Sequence, residues 1–168
     1  MSSKGRWETP YAQAGGVHSL TGTSLAVVAR EVLARGHSFR FRAPGWSMSP
    51  FIQDGDVVTL KPFDGAACAL GDVVAFVRPQ SERMVVHRIV SVQKGCCHIQ
   101  GDNNPEEDDA LPYSAIIGRV ARVERAGKDV RFGLGPERVF IAALSRRRWL
   151  LRGIHMARVL RSIVVRKS

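Results

Sequence analysis

Several things are missing from this chain, and each absence narrows what it can be. No stretch of its 168 residues approaches the roughly 18 consecutive apolar residues that a membrane-spanning helix needs. The longest apolar runs, at 25–29 and 139–144, are far too short. The first 23 residues are polar and Gly-rich and show no signal-peptide pattern. The sequence therefore predicts a protein that is cytoplasmic, or peripheral at the inner face of a membrane. Cysteine is scarce: Cys68, Cys96 and Cys97 are odd in number, lack CxxC spacing and have no companion histidine cluster. That argues against a disulfide framework or a zinc site, and predicts small buried or half-buried thiols with no metal and no cofactor. Acid is absent from one end. Residues 146–168 carry Arg146, Arg147, Arg148, Arg152, Arg158, Arg161, Arg166 and Lys167, while all 15 Asp and Glu lie before them. The net charge of +10 is thus mostly a property of the tail. A near-neutral body with a basic end speaks against a nucleic-acid-binding protein.

What is present suits one domain. With 45% hydrophobic residues the chain can build its own core. Residues 1–22 are rich in Ser, Gly, Thr and Ala without periodicity, and are expected to be flexible. Ser24 is placed to cap a helix over 25–35, with Leu25, Val28, Ala29, Val32 and Leu33 as its apolar stripe and Gly36 as its stop. From residue 39 the text turns to β-type. Strands are predicted at 39–42, 56–60, 72–77, 84–92, 96–100, 116–124 and 129–132, separated by Asp-Gly, Gly-Asp and lone Gly turns. The expected domain runs over 23–136, closed by Gly133-Leu134-Gly135-Pro136. Residues 137–168 read as a basic amphipathic helix, in which Trp149, Leu150, Gly153, Met156, Ala157, Leu160 and Val164 share one face. Such a helix suits an anionic membrane surface, or docking on the domain with its arginines in water.

Three short blocks carry the chemistry. The first, Gly45-Trp46-Ser47-Met48-Ser49-Pro50, bends the chain after a strand. It offers Ser47 as a nucleophile, with its own backbone N–H as an oxyanion donor. Ser49, beside Pro50, reads as structural. The second block, Val86-His87-Arg88-Ile89, lies in a strand. Alternation puts Val85, His87 and Ile89 on one face and Val86, Arg88 and Val90 on the other. A partly desolvated imidazole can serve as a general base, whereas the Arg88 guanidinium stays charged. The third block is Gly101-Asp102-Asn103-Asn104, followed by Asp108-Asp109. Asp102 is expected to accept backbone N–H groups of its own turn, and Asp108 or Asp109 to reach His87.

These blocks resemble those of type I signal peptidases of the endoplasmic-reticulum and archaeal kind. The similarity spans roughly residues 39–123. It takes in Ser47, Met48 and Pro50, then Gly55-Asp56-Val57-Val58, Gly71-Asp72-Val73-Val74, Val86-His87-Arg88, Gly101-Asp102 and Ile117-Gly118-Arg119-Val120. The resemblance implies a mainly β catalytic domain shared with self-cleaving repressors. It implies Ser47 as nucleophile, His87 as general base and Asp108 as the orienting acid, with Asp109 the alternate. It also implies cleavage of a peptide or preprotein after small residues in an Ala-x-Ala-like context. The chain departs from that family in lacking a membrane helix before the serine, and in having Gly45 where a side-chain oxyanion donor often stands. Two rivals keep the same fold: a catalytically idle binding module, and a regulator that cleaves its own chain. The sequence fixes neither the substrate nor the oligomeric state.

Overall fold

In a computed structural model, residues 22–64, 68–78, 81–104 and 110–146 are described. Strands form in the short runs rich in β-branched and apolar residues. They are β1 (Phe39–Arg42), β2 (Val57–Lys61), β3 (Val73–Arg78), β4 (Arg83–Gln93), β5 (Cys96–Gln100), β6 (Leu111–Pro112), β7 (Ile116–Arg125) and β8 (Lys128–Asp129). Two helices, α1 (Gly22–Ala34) and α2 (Arg138–Arg146), flank them. The strands make one sheet in the order β1-β2-β7-β3-β4-β5-β6, with β8 added to β7 and every pairing antiparallel. This is the mainly β architecture that the sequence predicts. Register shifts at Thr59/Leu60, Ala75/Phe76 and Ile89/Ser91 interrupt the ladders, and such bulges bend a sheet and increase its twist.

The alternation of β3 and β4 divides the interior in two. Val73 and Ala75 face a core with Leu33, Phe41, Ala43, Met48, Ile52, Val58, Leu60 and Val123, onto which Met84 and Val86 pack. Val74, Phe76 and Ile89 face a second core with Cys97, Ile99 and Ile116, which Val85 joins. The face assignment read from the period of β4 therefore holds. Each fully buried Val, Leu, Ile or Phe of these cores contributes about 1.5–3 kcal/mol.

Three local expectations need correction. Helix α1 starts at Gly22, so Ser24 sits in its first turn rather than at its cap. First-turn N–H groups need no intrahelical partner, which makes Gly and Ser cheap there. Its buried face is Ala26, Ala29 and Leu33, while Val28 is exposed. Small residues win because the helix lies close on β7: a methyl on Gly118 would stand 2.9 Å from Leu33 Cδ1. The stop at Gly36 is as expected, with Gly36 N–H on Leu33 O and His37 N–H on Val32 O. The last strand is only Lys128–Asp129, because after Val130 the chain turns to bring Gly133 against Phe51. Strand β6 and the 3-10 turn Tyr113–Ala115 carry no period long enough to announce them. Among the described residues no helix is long and apolar enough to cross a membrane. The apolar tail face at 149–164 lies outside the described residues, as does all of the segment 1–22 expected to be flexible except Gly22, which opens α1.

Candidate active site

Ser47 lies in the turn that carries the chain from β1 towards β2. Beneath it Met48, Phe51 and Ile52 are buried and anchor the loop. Gly45, at φ +88°, donates its N–H to Asp54 Oδ1 at 2.7 Å, and Gly55 N–H donates to Ala43 O at 2.8 Å. With its anchors inside, the loop leaves Ser47 exposed while Ser49 is buried. The peptide bond before Pro50 is cis. Of the two serines, Ser47 is the one open to solvent.

His87 comes to the same place from β4, opposite Val74 on β3. It is 2% exposed, with the Phe76 ring 6.0 Å away. Ser47 and His87 line one pocket of about 230 Å³, walled by Phe41, Met48, Met84 and Val86 and edged by Arg78 and Asn104. Gly101 shows how close the two segments approach. A methyl there would stand 2.8 Å from Ser47 O and 3.0 Å from His87 Nε2. Only a residue without Cβ lets the serine loop and the histidine crowd the same point. Strands distant in sequence thus assemble a hydroxyl and an imidazole in one cleft.

The block after β5 holds the nucleophile loop. Asn103 N–H donates to Ser47 O at 2.7 Å, and Asn103 Nδ2 donates to Trp46 O at 3.2 Å. Local sequence does not announce this double clamp. The only sign of it in sequence is an Asn-Asn pair directly after a strand, which reads equally well as an ordinary turn. Asp102, expected to accept N–H groups of its own turn, has its side-chain partners on β4 and α2 among the described residues. Fully buried, it takes Arg88 Nε at 2.9 Å and Nη2 at 2.8 Å, and Ser145 Oγ of α2 at 3.3 Å. The bidentate guanidinium outcompetes single N–H groups for a buried carboxylate. Arg88 Nη1 reaches Gly71 O at 3.0 Å and Gly133 O at 2.8 Å, and its Cζ lies over the Phe51 ring at 5.4 Å. Asp102 is therefore a framework acid that never faces His87. Asp108 and Asp109 lie outside the described residues.

The other motif acids are also framework. Asp56 is buried against Arg125 Nε and Nη2, at 2.9 and 2.8 Å, and accepts Gln53 N–H. Burial alone would raise its pKa, but the Arg125 guanidinium and that N–H hold it below the ordinary 3.8. Asp72 is buried beside Arg138 at 3.3 Å and Arg119 at 3.6 Å, which ties α2 to the start of β3. All three thiols are free, and burial, with Cys68 close by, pushes Cys97 up to about 12, which keeps it protonated. Burial also raises the Cys68 thiol above its ordinary value. Among the described residues no group of three or more His, Cys, Asp or Glu could hold a metal ion.

The sequence model of the Peptidase S24-like family matches residues 5–121. No curated protein matches the chain.

Proposed function

Because the chain belongs to the Peptidase S24-like family, we propose that it is a serine endopeptidase working from the cleft between the serine loop and β4. One observation carries this reading: exposed Ser47 and buried His87 line the same pocket and crowd the same point beside Gly101. Ser47 Oγ attacks the scissile carbonyl while His87 Nε2 takes its proton. The tetrahedral intermediate places its oxyanion at the Ser47 backbone N–H, since Gly45 has no side chain and gives its own N–H to Asp54. Collapse releases the leaving amine, protonated by His87. Water, deprotonated by His87, then attacks the acyl-enzyme and returns Ser47 to its hydroxyl form. Asp108, or Asp109 beside it, is the acid proposed to orient the imidazole. The finer proposal is a signal-peptidase-like preference for small residues in an Ala-x-Ala-like context, matched to a pocket of modest volume.

The test is mass-spectrometric cleavage of a peptide pool containing Ala-x-Ala sites by wild type, Ser47→Ala and His87→Ala. Cuts after small residues that vanish in both variants support the reading. Cuts that persist in a clean Ser47→Ala preparation overturn it. A second reading draws on the family match beginning at residue 5, ahead of α1: cleavage of the chain's own N-terminal segment. Here the intact mass of wild type would fall by a fragment from before residue 22 while that of Ser47→Ala stayed whole. Silence in both assays leaves a binding module that keeps the fold without the activity.

A further inference from the structure

We propose that Asn103 is a positioning residue for the oxyanion hole: its grip on Trp46 and Ser47 sets the direction of the Ser47 backbone N–H. The inference rests on the peptidase reading, in which that N–H receives the oxyanion. A peptide unit is planar, and the one joining Trp46 to Ser47 is trans. Its carbonyl and its N–H therefore point to opposite sides, so whatever holds Trp46 O also decides where the Ser47 N–H points. Trp46 O accepts Asn103 Nδ2 at 3.2 Å and Ser49 N–H at 3.1 Å. The following unit is held too, because Ser47 O accepts Asn103 N–H at 2.7 Å. One residue thus grips the peptide units on both sides of the serine. Among the described residues nothing accepts the Ser47 N–H.

A plain tether would not need this arrangement. Met48, Phe51 and Ile52 are buried and already anchor the loop. The side-chain bond from Asn103 adds orientation to a segment whose serine is exposed. Asn103 is itself firmly placed. Asp102 before it is buried against Arg88, at 2.9 and 2.8 Å, and Asn104 N–H after it closes the turn on Gly101 O at 3.0 Å. A donor stabilises an oxyanion best when its direction is set before the charge develops. That matters more here than usual. Gly45 has no side-chain donor and spends its N–H on Asp54 at 2.7 Å, which leaves the intermediate dependent on the Ser47 N–H. Asn103 touches neither substrate nor reacting atoms in this account; it acts through Ser47.

Asn103→Ala and the near-isosteric Asn103→Asp both keep the backbone N–H on Ser47 O and remove the side-chain donor. A peptide that wild type cuts in the Ala-x-Ala pool supplies kcat and KM. Both variants should lower kcat by about 10–100-fold while KM stays close to wild type. The pH limb set by His87 should not move. Asn103→Asp keeps the shape of the side chain, so the test holds even where the Ala variant melts early. A peptide boronate gives a second readout. Ser47 Oγ bonds to boron, its proton passes to His87, no group leaves, and a boronate oxygen meets the Ser47 N–H. The Ser47 amide proton resonance should move downfield in the wild-type adduct and move less in both variants. Variants that cleave like wild type, that raise KM and spare kcat, or that show the full amide shift overturn the proposal and leave the peptidase standing. A wild type that neither cleaves nor takes up the boronate overturns the peptidase reading, and this inference with it.

Discussion

His87 and Arg88 are neighbours on β4, and both are almost wholly buried, yet they do opposite things. Arg88 uses Nε and both terminal nitrogens on Asp102, Gly71 O and Gly133 O, and so joins β4 to the block after β5 and to the approach of α2. His87, one residue earlier and on the other face, lines a cleft beside an exposed serine. Burial alone does not separate a framework group from a working one. What distinguishes His87 is that it lines a cleft a substrate can enter.

The largest effect that would break this contrast is on activity. On the proposed mechanism, His87→Ala and Ser47→Ala should each lower cleavage by at least about 10³-fold, with urea midpoints close to wild type. A comparable loss from unfolding would place His87 with the framework. On the other face, Asp102→Ala leaves a guanidinium buried without its carboxylate and should cost about 3–5 kcal/mol in urea unfolding. The double change Arg88→Met with Asp102→Leu should recover much of that loss, because no charge remains to be buried. A double variant as unstable as the sum of its singles would show that Arg88 acts through packing alone.

Gly101→Ala lies between the two faces. Its methyl must displace Ser47 O or the imidazole, so we expect cleavage to fall by about 10–100-fold through misplacement of the reacting groups. Stability should fall far less than in Asp102→Ala. An active, unstable Gly101→Ala would reverse the assignment. The smallest effect is on pH dependence, at Asp56. Its folded pKa lies below the ordinary 3.8 because Arg125 and Gln53 N–H outweigh burial. A depressed carboxylate contributes stability that is full above the unfolded value and is lost as pH falls through the folded one. Unfolding free energy should therefore drop below about pH 4, and Arg125→Met should make that drop shallower. Identical acid slopes would remove Asp56 from the account.

The same contrast shows what could be read in advance. Alternation along 84–92 assigned His87 and Arg88 to opposite faces, because a strand's period of two is a local property. The position of Ser49 beside Pro50 favours Ser47 on the same local grounds, and the fold leaves Ser47 exposed. Local sequence makes Asp102 an acid of its own turn, because nothing near it in sequence names Arg88 or Ser145 as its partners. The Asn103 clamp on Trp46 and Ser47 is illegible in sequence for the same reason: its two halves stand more than fifty residues apart.

By itself, then, the sequence determined the strand periods, the helix stop at Gly36, the three chemical blocks and the one-signed charge of the tail. These follow from side-chain chemistry and short-range geometry. Only the tertiary structure decided that Ala26 rather than Val28 faces the core, that Asp102 serves Arg88, that Gly101 makes room for both the Ser47 carbonyl and the His87 ring, and that Val139 and Phe140 face outward. Each of these depends on which distant segments share a few ångströms of space, and the antiparallel sheet sets that by bringing β4, β5 and the serine loop together.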